Sequence, residues 1–582
     1  MLNLLPFPRS IERTAGSVSA DTDAEATHDP ALAAQGYSLE IGDEKIRLRF
    51  SDTAGERYGR ATLHQIRAQC GARLPGLIVR DWPDFPIRGY MLDISRDRVP
   101  NRDTLQRIVE RLDALRLNHL QLYTEHTFAY PEHEVVWRDA SPMTADDVHW
   151  LDALCREKGI ELAANQNGFG HMERWLRHQP YHHLAETPDG WTTSWGARWP
   201  AAVLHPDRAS FELVRGLYAE LLPHFTSNRV NIDCDETFEL GKGRSKTRVD
   251  SVGRGRVYLD FVNRILGELH RQGKDVLLWG DVVRQHPELT GELPREHTTA
   301  LVWHYEAPIE NPKLPEDLEH ILEEIGINED VLRGFVGQVP AFANSGLPFW
   351  VCPGTSTWSS LLGRITNARA NLLDAAEVGL AHGAGGYLIT DWGDNGHMQP
   401  PSVSFAPLAY GAAVSWCAAS NRDIDLARAL DLHVFTDDSR RLGSAVLRAG
   451  DAYRQTGASA FNGSPLFYAL LASGDFLAGE GAPTAAGIES TLETLDDAAS
   501  DIERATPRCA DAAIVQRELR QAIELTRLGT LELAHLRGLV PCDAATWNAR
   551  MAAALEEQRA CWLLRSRAGG LDDSLAKLRT AL

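Results

Sequence analysis

The sequence predicts an α/β protein: a (β/α)8 TIM barrel, with a small α+β domain before it and a helical region after it. Three observations carry this. From Ile87 onward, short apolar runs alternate with long amphipathic stretches, and eight such runs can be read before residue 420. Before Ile87 the pattern has the two-residue period of half-buried strands. Beyond about residue 420 the chain becomes rich in Ala and Leu at helical spacing. The expected units are residues 1–85, 86–420 and 421–582, in keeping with cores that stop growing at roughly 250–300 residues.

In the first unit, "SLEIGDEKIRLRF" (38–50) alternates around a Gly-Asp turn and predicts a hairpin. "AGERYGRATLHQIRAQCG" predicts a helix ending at Gly71, and "LPGLIVRDWPDFPIRG" a strand with a proline-marked exit. In the second unit, "IRGYMLDIS" precedes Leu105, Ile108, Val109, Leu112 and Leu115 at helical spacing, and "NHLQLYT" follows: a βαβ unit. "IELAAN", "RVNIDCD", "DVLLWGD", "ALVWHY", "PFWVCPG" and "GGYLITDWGD" complete the eight strands. In the third unit, Val515, Leu519, Ala522 and Ile523 share one helical face, as do Met551, Leu555, Trp562 and Leu563. These helices could pack on the barrel, join two subunits or roof a site.

Barrel chemistry sits at the C-terminal ends of the strands. There the sequence places Asp93, Glu125, Asn165, Asp235 with Glu236, Trp279 with Asp281, Tyr305, Trp358, and Asp391 with Trp392 and Asp394. Any one acid could be a helix N-cap. Acids and aromatics at every strand end predict a pocket. Trp279, Trp303, Trp358 and Trp392, near the ends of strands five to eight, predict walls that stack on a sugar ring.

In "RVNIDCDE", alternation turns Asn231, Asp233 and Asp235 into the barrel, with Glu236 just past the strand. Adjacent carboxyls push their pKa values apart, which gives one acid and one anion from a dipeptide. Neighbours in sequence diverge at Cβ, so the pair suits two atoms of one substrate better than opposite faces of one glycosidic bond.

The net charge of −21 argues against nucleic acid or anionic membrane as the main partner. The histidine-rich stretch from 119 to 183 lacks HExxH, and Pro180 between His178 and His182 spoils a shared helical face, so neither a metal nor another cofactor is expected. The eight cysteines form no CxxC pair, and "MLNLLPFPRS" has no basic start, so a cytoplasmic protein is expected, or a periplasmic or secreted one if a leader was removed.

Over roughly residues 35–410 the chain resembles glycoside hydrolase family 20, the β-N-acetylhexosaminidases, as a divergent branch. "YGRATLHQ" and "DWPDFPIRGYMLDISR" carry the likeness, together with the Asp-Glu pair, "GFGHM" and "DWGD". The resemblance implies that Asp235 orients the substrate's 2-acetamido group and that Glu236 protonates the leaving oxygen. It further implies that Arg88 holds hydroxyls 3 and 4 of the terminal sugar, His171 supports the acids, Trp392 lines the acetamide pocket, and Asp394 stands for the family's hydroxyl-binding Glu. Strand seven lacks the family's Tyr-Leu-Asp, which leaves Tyr305 as the candidate tyrosine; the family's His-x-Gly-Gly is here Asn231, Ile232, Asp233 and Cys234. The implied activity is exo removal of terminal β-linked GlcNAc or GalNAc from a glycan. A two-carboxylate β-glycosidase and a non-catalytic sugar-binding barrel are the alternatives.

Overall fold

The computed structural model describes residues 2–580 except 315–321, 323, 325, 473–480 and 542. Five strands precede the barrel: β1 (Ser10–Ser19), β2 (Ala24–His28), β3 (Tyr37–Ile41), β4 (Ile46–Phe50) and β5 (Arg73–Asp81). They form one sheet in the order β1-β5-β3-β4-β2. The expected hairpin is β3–β4, paired antiparallel from Tyr37↔Phe50 to Ile41↔Ile46. Its apolar face, Leu39, Ile41, Ile46 and Leu48, packs under the helix Thr53–Cys70. That helix is capped by Asp52, which accepts the N–H of Gly55, and it ends at Gly71 with φ +67°, a conformation glycine adopts without strain.

The barrel strands are β6 (Ile87–Asp93), β7 (His119–Tyr123), β8 (Glu161–Asn165), then, after a hairpin of β9 (Trp191–Thr192) and β10 (Arg198–Trp199), β11 (Arg229–Asn231), β12 (Asp275–Trp279), β13 (Thr298–His304), β14 (Phe349–Pro353) and β15 (Gly386–Asp391). All pair in parallel and the ring closes through β15 and β6, with Leu388 opposite Gly89. Helices such as Arg102–Ala114, Ala145–Glu157 and Arg254–Arg271 surround it; Asn101 caps the first by accepting the N–H of Thr104, and Thr144 and Asp147 form a reciprocal capping box at the start of the second.

The helical region packs on the barrel. Val515, Leu519, Ala522 and Ile523 share one apolar core with the barrel helices, whereas Leu563 faces solvent, since it follows the buried Trp562 directly. Buried Arg565 binds Glu518 and Asp511, and Arg98 donates to Ser566 and to the carbonyl of Gln399, which joins the region to the loops after β6 and β15. Among the described residues no helix is long and apolar enough to cross a membrane.

Candidate active site

A cavity of about 720 Å³ opens at the C-terminal ends of the strands. It is lined by His171, Asp235, Glu236, Trp303, Tyr305, Trp392 and Asp394, seven of the ten side chains singled out from the sequence.

The acids do not reach it by strand alternation. β11 ends at Asn231, and the next residues turn: Asp233 (φ +55°), Cys234 (φ +66°) and Glu236 (φ +48°) are all left-handed. Such backbone costs about 1–3 kcal/mol per non-glycine residue and persists only where its surroundings hold it. Here they do. Asp233 N–H donates to Asn231 Oδ1 (3.0 Å), Trp279 Nε1 donates to Asp233 Oδ1 (2.7 Å), and Glu236 N–H donates to Asp281 Oδ2 (3.1 Å). Asp233 and Cys234 occupy the two positions where the resembling family has glycine, the residue that adopts this backbone freely.

The loop after β8 completes the pair. A Cβ on Gly170 would lie 2.3 Å from the carbonyl oxygen of Asp235, so only glycine lets this loop approach the acidic turn. His171, next in sequence, then places Nε2 3.5 Å from both Asp235 Oδ2 and Glu236 Oε2. Burial alone would lower the His171 pKa, but the carboxylate of Asp235, and then that of Glu236, outweigh it and raise it to about 10. Burial, reinforced by Asp235, Asp281 and Asp394 against the opposing His171, raises Glu236 to about 7. Burial and then Asp235 raise Asp281 to about 6. Asp235 Oδ1 is buried and has no hydrogen-bond partner among the described residues.

The same cavity has an aromatic wall. Trp303 and Tyr305 stack at 5.1 Å with their planes 16° apart, and Tyr305 meets Trp392 edge-on at 6.4 Å. Tyr305, the candidate tyrosine, thus lines the cavity beside Trp303. Trp279 and Trp358 are corrected: neither lines the cavity. Trp279 is fully buried and serves as the partner of Asp233, and Trp358 packs its edge on Tyr305 and donates to Asn462 Oδ1 (2.9 Å). Both support the site from behind.

Arg88 is the third correction. It lies at the N-terminal end of β6, the far end of the barrel, fully buried among Phe85, Tyr58, Gln35 and the carbonyl of Arg116, to which it donates at 2.7–3.1 Å. No sugar in this cavity could meet it. The arginine at the pocket is Arg96, past the other end of the same strand. Its guanidinium is held by Asp93 (3.0 Å) and Glu125 (3.4 Å) between the rings of Tyr123 and Trp392. The signal that would have found it is strand direction, since Arg96 follows the strand and Arg88 begins it.

The outer rim holds further residues that the sequence reading missed. Trp191 and Trp199, paired across the β9–β10 hairpin with rings 5.4 Å apart, line the cavity with Phe238. Phe461 and Asn462 reach it from the helical region. Among the described residues no three His, Cys, Asp or Glu side chains are grouped to hold a metal ion.

A barrel with paired acids at its fourth strand and a stacked aromatic wall defines a class: a sugar-processing hydrolase. Residues 85–317 match the model for the catalytic domain of Glycosyl hydrolase family 20, and residues 7–82 that for the family's domain 2. The chain belongs to glycoside hydrolase family 20. It is similar to a beta-hexosaminidase of Akkermansia muciniphila (24% identity, covering 40% of this chain and 52% of that one) and to human hexosaminidase D (24%, covering 39% and 46%). It is also similar to a lacto-N-biosidase of Bifidobacterium bifidum (24%, covering 44% and 23%). The chain thus spans about half or less of the length of these relatives. Its fold is like that of Flavobacterium johnsoniae chitobiase over 99% of both chains (TM-score 0.59, 14% identity) and of a Vibrio harveyi exo-β-N-acetylglucosaminidase over 74% and 76% (TM-score 0.55, 16%).

Proposed function

We propose that the protein is an exo-acting, retaining β-N-acetylhexosaminidase that removes terminal β-linked GlcNAc or GalNAc by substrate-assisted catalysis. The observation that carries this is the approach of Asp235 and Glu236 to one nitrogen of one imidazole, which puts both acids on the same side of a pocket that Trp303, Tyr305 and Trp392 also line. The substrate's acetamide carbonyl oxygen attacks the anomeric carbon as the glycosidic bond breaks. Glu236, with a pKa of about 7, gives its proton to the departing oxygen. Asp235 accepts the acetamide N–H and stabilises the positive charge that develops on the closing ring, while protonated His171 fixes Asp235. Water then opens the ring and returns its proton to Glu236. Trp191, Trp199 and Phe238 offer stacking surfaces to the leaving saccharide.

A thiazoline shaped like the cyclised intermediate tests this. It should inhibit far more tightly than GlcNAc, because it resembles the species the pocket is built to stabilise. Weak thiazoline binding, together with a 2-fluoro glycoside that leaves a covalent adduct on a carboxylate, would establish the two-carboxylate alternative. The same proposal assigns the enzyme to the cytoplasm, in keeping with seven described cysteines that are all free thiols; cell fractionation checks it.

A further inference from the structure

We infer that Asp281 and Arg254 form a clamp that aims Glu236 at the leaving oxygen, and that Asp281 serves the acid by its negative charge as well as by its hydrogen bond. Both are positioning residues. This rests on the reading of Glu236 as the acid.

The turn that carries Glu236 lies beyond the last residue of β11, Asn231, and Glu236 itself is left-handed (φ +48°). Its carbonyl is taken up within the turn by Phe238 N–H (2.7 Å). Other elements hold what remains. After β12, Asp281 opens the short helix Asp281–Gln285, and its Oδ2 accepts Glu236 N–H (3.1 Å). From the start of the helix Arg254–Arg271, Arg254 Nη2 donates to the carbonyl of Thr237 (2.9 Å). The two bonds grip consecutive residues from different elements, and together they fix the direction in which the Glu236 side chain leaves the backbone.

The hydrogen bond alone does not explain why residue 281 is an acid. Asp281 is 8% exposed, and its Oδ1 is buried with no hydrogen-bond partner among the described residues, as is Arg254 Nε. An asparagine would accept the same N–H with no ion to desolvate. The charge therefore has its use at a neighbour.

That neighbour is Glu236. Charged groups act on it from several elements: His171 after β8, Asp235 in the turn itself, Asp281 after β12 and Asp394 after β15, with Arg254 and Arg284 acting in turn on Asp281. Burial does most to raise the Glu236 pKa, His171 opposes it, and Asp235, Asp281 and Asp394 add to the rise. Asp235 is engaged by His171 and, in the proposed reaction, by the acetamide. Asp281 touches the Glu236 backbone directly, so its charge stays beside the acid whatever the substrate does.

The test compares kcat/KM on an alkyl β-N-acetylglucosaminide, whose leaving oxygen needs a proton, with that on the dinitrophenyl glycoside, whose leaving oxygen does not. Asp281→Ala and Arg254→Met should each lose about 10- to 100-fold on the alkyl substrate and far less on the dinitrophenyl one. Asp281→Asn keeps an acceptor for Glu236 N–H and removes only the charge. Without a negative neighbour Glu236 gives up its proton more readily, so the basic limb on the alkyl substrate should begin about 0.5–1 pH unit lower. Asp281 takes up a proton of its own below about pH 6, so this variant should differ from wild type most above that pH. Equal losses on both substrates in Asp281→Ala, or a limb that stays in place in Asp281→Asn, would overturn the proposal. Should Asp281→Ala fail to fold, the limb of the isosteric Asp281→Asn decides alone. A Glu236→Gln enzyme with no such dependence on the leaving group would instead sink the reading of Glu236 as the acid.

Discussion

The two ends of the barrel handle buried charge in opposite ways. At the N-terminal end, Asp81 accepts from Tyr37, Arg116 and Trp416, and Arg88 spreads its donors over two carbonyls, an amide and a phenol. At the C-terminal end, Asp233 Oδ2, Asp235 Oδ1 and Asp281 Oδ1 are buried with no partner among the described residues, and Asp233, Cys234, Glu236 and the neighbouring His171 hold left-handed backbone. Polar groups paired within the protein lock the small domain to the barrel. Unpaired acceptors and strained turns are tolerated where a substrate supplies the missing contacts. The difference separates residues that hold the fold from residues that perform chemistry, although both kinds are buried and charged.

The largest effect that would break this contrast belongs to Glu236. Glu236→Gln should cost about 10²- to 10⁴-fold in kcat on glycosides with poor leaving groups and far less on activated aryl glycosides, which need no proton. An equal loss on both, measured by steady-state kinetics, would remove Glu236 from the role of acid. Next comes the arginine pair on one strand. Arg96→Ala should lower kcat/KM about 10- to 100-fold, the worth of charged hydrogen bonds to substrate, without loss of fold. Arg88→Met should instead cost about 3 kcal/mol of stability in denaturant unfolding, through the carbonyls it strands, and leave kcat of the folded enzyme unchanged. Reversed outcomes would place the sugar at the wrong end.

A third test sharpens the electrostatics. Because Glu236 acts protonated and its pKa lies near 7, kcat/KM on poor leaving groups should fall about tenfold per pH unit above that value. With Glu236→Gln on an activated aryl glycoside, that fall should vanish. A limb that survives the substitution belongs to another group. The smallest effect is expected from Cys234→Gly, which relieves a left-handed non-glycine residue but adds chain entropy and a small void, for a net change within about 1 kcal/mol by thermal unfolding. A loss of several kcal/mol would show that the turn depends on the cysteine.

Much of this was legible in the sequence because periodicity reports which face of an element is buried. The eight barrel strands and the β3–β4 hairpin follow from it, and the acidic pair was found as a dipeptide where one of those strands gives out. Three misplacements have one physical cause: a residue near a strand end can point at the pocket, behind its wall or, at the wrong end, away from it. Arg88, Trp279 and Trp358 share composition and spacing with true pocket residues, and only the three-dimensional turn separates them. Asp235 reached its predicted place by another route, since β11 ends four residues earlier and a left-handed turn carries it there. Trp191 and Trp199 sit on strands of two residues each, too short to leave a period. Asn462 comes from a region whose helical pattern says nothing about the barrel it meets.

The central claim is that the nucleophile belongs to the substrate. It is tested most directly by the ratio of kcat/KM for two aryl β-glycosides that differ only at carbon 2, acetamido against hydroxyl. An oriented internal nucleophile is worth at least ~10⁴-fold, so the 2-hydroxy compound should be nearly inert. Turnover of the glucoside within about tenfold of the N-acetylglucosaminide would contradict the account, because only a protein carboxylate could then be attacking the sugar.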